Sequence, residues 1–420
     1  MIGIIGDGKT GRSVAKFLDK TGKEYLIFDE NKKDSSDVIS KFDIDILEKM
    51  DSIIISPGIS KYKFENINKK IISEIELAFL NNKGKILAVT GTNGKTTTVS
   101  LLYHLVQGSF DKEFLVGNIG KPFIDIVDET TDNSVVVLET SSFQLETIDK
   151  FAPNVSCILN LTPDHLDRHF NMANYLNEKI KITINQTKDD ILVLNLDDPY
   201  LVNINTNAQK KYFSLKDKNC DAYLSGEDII IKNYGKLCNV KELKLLGEHN
   251  YQNVMAAVLM AIACGVEFDI IKNKILTFES VKHRLQFISE VDGVKYYNDS
   301  KATNPDSTIK AIEAIKDPIV LILGGSDKNS DFEELFSKFD KHIVKLIFMG
   351  DVVEKLVFTA NKFDYKNYYI VNNLDEAFEL SKKISEIGDV VLLSPACASF
   401  NEFKNYEERG EKFIERVING

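Results

Sequence analysis

The sequence predicts an α/β protein whose mainly parallel sheets are divided among three domains. Short apolar runs recur along the chain, and each ends in a glycine-rich or polar turn that leads into a helix pattern. This alternation is typical of parallel strands joined by helices. The 420 residues exceed one hydrophobic core, and about 150 residues per domain gives roughly three. We expect a Rossmann-like domain at 1–84, a P-loop ATPase-type domain at 85–280 and a second Rossmann-like domain at 281–420.

Composition and charge limit the function classes. The chain is 43% hydrophobic with a formal net charge of −11, which argues against nucleic acid or an anionic membrane as the main partner. No run approaches the roughly 20 apolar residues of a membrane span, and we see no signal-peptide pattern. Cys157, Cys264 and Cys397 stand in apolar runs and are expected to be buried, reduced thiols. We therefore expect a cytoplasmic location.

A phosphate cradle is the strongest motif. Ile86–Val89 reads as a buried strand, Gly91-Thr92-Asn93-Gly94 as a turn, and Lys95 as the start of a helix that runs to about Gln107. Such a turn exposes N–H groups to phosphate oxygens at a helix N-terminus. Lys95 would reach the terminal phosphates, and the next hydroxyl, on Thr96, would hold a divalent metal. The alternative is an ordinary strand-to-helix turn, since the common P-loop requires glycine where Val89 stands.

The first segment carries a second glycine-rich turn. After the strand Ile2–Ile5, Gly6–Gly11 has the spacing G-x-G-x-x-G, and Asp29 ends the next strand. This resembles a dinucleotide fingerprint with its carboxylate on a ribose. The strand Ser52–Ile55 leads into another turn, Ser56–Ile59. We interpret the segment as binding a nucleotide-like group, and glycines that only pack the turn are the alternative.

Polar residues follow two strands of the central segment. Glu139 ends one strand, and Asp164 and His165 follow another. Ligands gather at the carboxyl ends of parallel strands, so these groups are expected near the phosphates and a divalent metal. A helix at 172–184 carries Lys179, which on this pattern alone reads as a solvated charge. Residues 210–245 suggest a β appendage.

Further along the chain, Asn250 is a candidate cap for a helix over 254–263. The last segment predicts a hairpin turning at Asp292-Gly293 and then a second doubly wound sheet with strands at 319–323, 346–349 and 390–393. Its polar strand-end loops lie at 298–305 and 394–399. Two domains with polar strand ends suggest a cleft that closes on substrate.

Taken together, these motifs resemble the Mur ligases, ATP-dependent amide-forming enzymes of peptidoglycan synthesis. The resemblance covers essentially the whole chain and is strongest to the branch that adds D-glutamate. The shared motifs are Gly91–Thr96, Glu139, His165 and His249–Asn253, and those of the D-glutamate branch are Glu139–Glu146, Asn298–Asn304, Ser394–Ser399 and Phe403–Tyr406.

The resemblance implies ligand contacts on the matching residues. For ATP they are Gly91, Thr92, Asn93, Gly94, Lys95, Thr96, Thr97, Asn253, Arg284 and Asp299. For the UDP-linked substrate they are Lys9, Thr10, Asp29, Ser56, Gly58, Ile59, Asn118, Ser141 and Gln144. For D-glutamate they are Thr303, Lys328, Ser399, Phe400 and Tyr406.

The resemblance also implies metals and chemistry. Two Mg²⁺ sites would use Thr96, Glu139, His165 and an N-carbamylated Lys179. The catalytic residues would be Lys95, His165, Lys179 and Lys301. The reaction would join D-glutamate to UDP-N-acetylmuramoyl-L-alanine through an acyl phosphate, in a monomer. Asp164 and His165 are nearby candidates for the general base, which the sequence does not assign.

Three alternatives remain open on the sequence. One is another amide ligase of the same superfamily, such as a different Mur member or a folylpolyglutamate synthetase. The second is a non-catalytic P-loop nucleotide-binding protein, which leaves the loops at 298–305 and 394–399 unexplained. The third is an NAD-dependent dehydrogenase built on Gly6–Gly11, which gives the cradle at 91–96 no role.

Overall fold

The computed structural model describes residues 1–35, 37–279, 281–327 and 330–419. The chain forms two compact units, Met1–Leu243 with Tyr251–Phe278, and Lys244–Asn250 with Glu279–Gly420. In the described ranges, two β-sheets belong to the first unit and one to the second. The α/β class is confirmed, and the three domain boundaries stay predictions.

The first sheet has five parallel strands in the described residues, in the order β3-β2-β1-β4-β5. Its strands are β1 (Ile2–Ile5), β2 (Tyr25–Phe28), β3 (Val38–Ile39), β4 (Ser52–Ile55) and β5 (Ile71–Ser73). Its helices are α1 (Lys9–Lys20), α2 (Ile44–Leu47), α3 (Glu74–Phe79) and a 3₁₀ helix at Lys61–Phe64. Because β1 and β4 are neighbours, the turns that follow them meet at one edge of the sheet.

The central sheet has nine strands among the residues described, in the order β14-β13-β12-β11-β10-β9-β6-β8-β7. They are β6 (Lys85–Thr90), β7 (Lys112–Gly117), β8 (Ser134–Glu139), β9 (Val155–Ile158), β10 (Ile191–Asn195), β11 (Gln209–Ser214), β12 (Ala222–Ser225), β13 (Asp228–Ile231) and β14 (Gly235–Asn239). The predicted β appendage is an extension of this sheet. β11 pairs parallel to β10, and only the β12–β13 and β13–β14 pairs are antiparallel.

Helices cover the central sheet. They are α4 (Lys95–Val106), α5 (Ser142–Leu145), α6 (Leu166–His169), α7 (Met172–Ile180), α8 (Glu248–Cys264) and α9 (Phe268–Ile275), with 3₁₀ helices at Phe123–Glu129, Lys181–Thr183 and Val240–Glu242. The predicted cap at Asn250 is wrong, because α8 begins two residues earlier, after Gly247. The Asn250 side chain instead donates to the Leu246 carbonyl at 2.7 Å.

The third sheet has six strands in the described part of the chain, in the order β15-β16-β20-β17-β18-β19. They are β15 (Gln286–Val291), β16 (Val294–Asn298), β17 (Ile319–Gly325), β18 (Ile343–Gly350), β19 (Tyr368–Ile370) and β20 (Val390–Leu393). The helices are α10 (Pro305–Ala314), α11 (Glu333–Ser337), α12 (Val353–Lys362), α13 (Leu374–Ile384) and α14 (Tyr406–Asn419). The predicted hairpin is β15–β16, and the other pairs are parallel.

The first two sheets share one hydrophobic core, which includes Ile4 and Ile54 from one sheet and Ile86 and Val136 from the other. All five cysteines are buried free thiols. None of the helices in the described ranges combines the length and hydropathy that a membrane crossing needs.

A buried carboxyl joins α3 to the central segment. Glu74 is 3% exposed, and its Oε1 accepts from the Ile124 N–H at 2.6 Å. Burial raises the pKa of Glu74 to about 7, and the backbone hydrogen bonds only partly oppose this shift. The folded chain therefore holds a proton here that the unfolded chain releases above about pH 4.5.

Replacing Glu74 with glutamine should make stability less dependent on pH. The contribution of this group is complete below its ordinary pKa of 4.5 and is lost as pH rises through about 7, because the unfolded chain then binds fewer protons. We expect Glu74→Gln to raise the free energy of unfolding at pH 8 by about 1 to 3 kcal/mol, and to change it little at pH 4.5. Denaturant titrations at both pH values measure this. The control is Glu65→Gln, which changes an exposed side chain. If the stability of Glu74→Gln depends on pH as that of wild type does, the raised pKa of Glu74 is contradicted.

Candidate functional site

The predicted cradle forms at the carboxyl end of β6. The turn after Thr90 leads directly into α4, and Gly94 is the residue before the helix, with a left-handed φ of 83°. A Cβ built on Gly94 would lie 2.4 Å from Asn253 Oδ1. Only glycine fits this position, because any side chain would strain the backbone and displace Asn253. Asn253, predicted to contact ATP, therefore packs directly against the turn.

Two lysine side chains converge on one carbonyl of the turn. Lys95 Nζ and Lys179 Nζ donate to the Gly91 oxygen at 2.7 and 2.8 Å. Lys179 is 1% exposed, so the solvated position suggested by the helix pattern alone is wrong. Burial and the neighbouring Lys95 ammonium lower the pKa of Lys179 well below its ordinary value, while Asp164 acts in the opposite direction. Lys179 therefore carries a neutral amine far more readily than a surface lysine.

Glu139 ends β8 beside the cradle and is buried. Its Oε1 accepts from Asn118 Nδ2 at 2.8 Å, whereas Oε2 is buried with no hydrogen-bond partner among the described residues. A buried carboxylate oxygen without a donor is costly unless a cation or ligand meets it. Asn118, predicted to contact the UDP-linked substrate, here orients Glu139.

His165 precedes α6 with a left-handed φ of 53°. Its Nε2 lies 3.6 Å from Asp164 Oδ2, and its side chain is half exposed. Burial lowers the pKa of His165, Asp164 acts in the opposite direction, and the Lys95 charge lowers it further. The neutral imidazole at pH 7 can accept a proton or ligate a metal.

The candidate metal ligands Thr96, Glu139, His165 and Lys179 include one carboxylate and one imidazole. Within the described ranges, no group of three or more His, Cys, Asp or Glu side chains could by itself hold a metal ion. The unpartnered Glu139 Oε2 fits a hard divalent cation such as Mg²⁺, which prefers oxygen ligands, and the neutral His165 ring is a weaker ligand for it. A carbamate on Lys179 would supply further oxygen donors.

The residues predicted to hold the UDP-linked substrate lie around the first sheet's carboxyl edge and on neighbouring central loops. Asp29 Oδ2 accepts from the Asp7 N–H at 2.7 Å, and Ser56 Oγ is buried with no hydrogen-bond partner in the described part of the chain. Lys9 Nζ donates to the Gly120 carbonyl. A Cβ on Gly11 would lie 1.9 Å from the Gly6 oxygen, so this glycine is needed for packing whether or not the turn binds a nucleotide.

Ser141 and Gln144 make hydrogen bonds to each other. They form a capping box on α5, in which each side chain accepts from the other residue's backbone N–H. This structural role accounts for both residues without a ligand. Their contact with substrate, like that of Thr10, Gly58 and Ile59, stays a prediction.

In the second unit, the loops after β16 and β20 meet because these strands are paired neighbours. Asp299 joins them, accepting from the Leu285 N–H at 3.1 Å and from Ser394 Oγ at 2.7 Å. Burial raises the pKa of Asp299 to about 6, against the charge of Arg284. Lys301 Nζ lies 5.2 Å from the Tyr406 ring centre.

The D-glutamate residues differ in burial. Ser399 is buried, Thr303 is half-buried and Phe400 is exposed, and Lys328 lies outside the described residues. The loop after β16 carries Lys301, and the loop after β20 carries Ser399 and leads to Tyr406. Because β16 and β20 are parallel neighbours, these residues lie at one end of the third sheet. The roles of these residues in binding stay predictions.

Three family models match the chain. They are described as the Mur ligase MurD-like N-terminal domain (residues 1–79), the Mur ligase middle domain (89–261) and the Mur ligase glutamate ligase domain (283–397). A protein of Clostridioides difficile (strain 630) named UDP-N-acetylmuramoylalanine--D-glutamate ligase is 41% identical over 440 residues, covering 99% of this chain and 98% of that protein. One of the same name from Caldanaerobacter subterraneus is 40% identical, covering 99% and 97%. The chain belongs to the Mur ligase family.

Solved structures agree with this Mur ligase fold. The UDP-N-acetylmuramate-alanine ligase of Thermotoga maritima has a TM-score of 0.63 at 18% identity, covering 100% of this chain and 99% of that one. The MurF ligase of Thermotoga maritima, solved in complex with ADP, has a TM-score of 0.63 at 18% identity, covering 99% and 95%. At this identity the likeness shows the fold alone.

Sequence reasoning missed two arginines of this Mur ligase, of which one is buried and the other largely buried. Arg409 is 1% exposed and donates to the Ser300 and Cys397 carbonyls at 2.8 and 3.0 Å, which ties the two loops of the second unit together. Arg168 stands three residues after His165 and pairs with Glu146 at 2.7 Å. Arg409 likewise stands three residues after a motif residue, Tyr406. This short distance from a motif was the signal that the sequence offered for both arginines.

Gly94→Ala should weaken ATP binding by tenfold or more. The left-handed backbone costs alanine about 1 to 2 kcal/mol, and the new Cβ would displace Asn253 and distort the donors of the turn. Calorimetric titration with ATP and with ADP measures the loss. Gly108→Ala is the matched control at the other end of α4, since Gly108 has φ 73° but open space around it. Wild-type nucleotide affinity in a folded Gly94→Ala protein would contradict the cradle.

Proposed function

We propose that this Mur ligase uses ATP to join D-glutamate to UDP-N-acetylmuramoyl-L-alanine. The observation that carries the proposal is the identity of about 40% along 99% of the chain with relatives named UDP-N-acetylmuramoylalanine--D-glutamate ligase. The match extends over all three domain models rather than the nucleotide cradle alone. A non-catalytic P-loop module or a dehydrogenase would explain neither the identity to these ligases nor the match to all three domain models.

ATP would bind with its phosphates on the turn from Gly91 to Gly94 and the first N–H groups of α4. Lys95 places its ammonium group at the Gly91 carbonyl of this turn, so the turn carries a positive charge that suits a polyanion. The solved Mur ligase in complex with ADP supports a nucleotide site in this fold.

The chain's own residues would lower the activation barrier of phosphoryl transfer mainly by placing positive charge and N–H donors near the phosphates. A carboxylate oxygen of the L-alanyl group attacks the γ-phosphorus, ADP leaves, and Lys95 and the turn amides offset the negative charge during transfer. The amine of D-glutamate then attacks the acyl carbon, loses a proton and displaces phosphate. Exclusion of water at this stage protects the acyl phosphate from hydrolysis.

Mg²⁺ would be held by Thr96 and Glu139 at one site and by His165 with Lys179 at another, where it would neutralise phosphate charge. The buried Glu139 Oε2 supports the first site. For the second, a neutral Lys179 amine is a nucleophile toward CO₂, and the resulting carbamate and released proton convert a cation into an anionic oxygen ligand. Burial and the neighbouring Lys95 both favour that neutral amine.

Phosphate release should depend on D-glutamate. With ATP, Mg²⁺ and UDP-N-acetylmuramoyl-L-alanine present, we expect release with D-glutamate and not with L-glutamate, L-alanine, L-lysine or no amino acid. Mass spectrometry should find one new amide. Phosphate release with a different amino acid would assign the protein to another amino-acid specificity within the family. ATP binding without phosphate release under any condition would contradict the ligase function.

Lys179→Ala should reduce turnover by at least a hundredfold, and a short carboxylate such as formate or acetate should restore part of it. The added anion would occupy the place of the carbamate group. Exposed Lys188→Ala is the control, and phosphate release measures both variants. Full activity of Lys179→Ala without additive would rule out a metal-binding role for Lys179.

A further inference from the structure

Arg168 contacts two parts of the chain that sequence reasoning treated separately. Its Nε and Nη2 donate to the two Glu146 oxygens at 3.0 and 2.7 Å. Its Nη1 donates to the Pro57 carbonyl at 2.7 Å, and Nη2 also donates to the Ile59 carbonyl at 3.2 Å. The guanidinium lies 4.0 Å from the Phe143 ring centre. One side chain thus connects the turn after β4 to α6.

Both ends of this connection belong to the proposed site. The turn from Ser56 to Ile59 is the predicted UDP-substrate contact, and α6 is a single helical turn that begins directly after His165. The Arg168 and Glu146 side chains are largely buried, at 12% and 2% exposure. A bidentate pair of this kind has a fixed geometry, because the planar guanidinium matches the carboxylate on one edge and has donors left for other acceptors.

The carbonyl contacts also determine where the turn's N–H groups point. In a trans peptide the C=O and N–H bonds point in opposite directions across one plane. Holding the Pro57 and Ile59 oxygens toward Arg168 therefore aims the Gly58 and Ser60 N–H bonds away from it. A Cβ on Gly58 would meet no atom within 4 Å, so no other part of the chain packs against the Cβ position of this glycine.

A second ion pair also connects the turn after β4 to the central segment. Lys61, just beyond the turn, pairs with Glu178 at 3.0 Å, and Glu178 is the neighbour of Lys179 on α7. The turn is therefore connected to the segment of His165 by Arg168 and to the helix of Lys179 by Lys61. By contrast, the Lys20–Asp128 ion pair between the first and central segments, at 3.2 Å, is more than half exposed on both side chains.

We propose that Arg168 is a positioning residue of the ligase reaction, which fixes the UDP-substrate turn relative to the His165 segment so that nucleotide recognition and the reacting carboxylate are placed together. The inference rests on the proposed function for the identity of the substrate.

The test is Arg168→Lys, which keeps the positive charge but cannot reach Glu146 and both carbonyls together. We expect the Kd for UDP and for UDP-N-acetylmuramoyl-L-alanine to rise about tenfold, the loss expected for one charge-assisted hydrogen bond. The turnover number should fall as well, because His165 loses its link to the turn. The Kd for ADP should stay within about twofold of wild type. Lys20→Met, which removes an exposed pair between the same two sheets, should change neither affinity.

Glu146→Gln separates the two halves of the contact. It removes the ion pair but leaves the guanidinium able to hold both carbonyls, so its effect on UDP affinity should be smaller than that of Arg168→Lys. If Arg168→Lys does not fold, the neutral pair Arg168→Met with Glu146→Gln carries the same test, because no unpaired buried charge remains.

Unchanged UDP affinity in a folded Arg168→Lys protein would overturn the inference, even if the midpoint of thermal unfolding fell. Equal losses of UDP and ADP affinity would also overturn it, since they indicate general damage. UDP binding does not depend on turnover. If wild type binds UDP but forms no amide with D-glutamate, the proposed function fails while the positioning role is still tested.

Discussion

The Gly91 carbonyl is the acceptor on which the central site depends. Lys95 reaches it from the first turn of α4 and Lys179 from α7, so a single oxygen fixes two helices relative to the cradle. Two ammonium groups on one acceptor repel each other, and the repulsion is strongest for the one removed from water. Lys179 is that one, and the conflict is relieved when it gives up its proton. The packing that brings the two helices to this turn therefore also favours the neutral amine of Lys179.

Parallel sheets explain why the other groups gather nearby. β8, β6 and β9 are adjacent in the central sheet. Glu139 at the end of β8, Gly91 after β6 and the loop from β9 to His165 therefore lie at one edge. The same rule joins the turns after β1 and β4 in the first sheet and the loops after β16 and β20 in the third. Within each sheet, the strand order decides which strand-end turns are neighbours, and the local sequence decides which side chains those turns carry.

That rule is also why much of the fold could be predicted from sequence. The strands before each motif and the start of α4 were recovered, because apolar runs and glycine turns are local signals. β7 and β19, half exposed and mixed in polarity, gave no such signal. The Asn250 cap failed because Gly247 and Glu248 start the helix earlier. Lys179, Arg168 and Arg409 lie on helices. The hydrophobic periodicity of these helices predicts that their charged side chains face solvent. Their burial depends on tertiary neighbours that periodicity does not contain.

The two arginines that the sequence analysis missed share a physical property. A buried charge contributes little to stability after desolvation, and its replacement by apolar residues is often neutral or favourable. Arg409 makes its hydrogen bonds to Ser300 Oγ and to backbone carbonyls, with no carboxylate among its hydrogen-bond partners in the described residues, and burial lowers its pKa to about 10. Arg168 and Arg409 each pin the backbone of a strand-end turn in a predicted substrate region. A guanidinium can do this where an apolar side chain cannot, since it has five donors in one plane. Fixed carbonyl directions then fix the directions of the N–H groups on the far side of the same peptides.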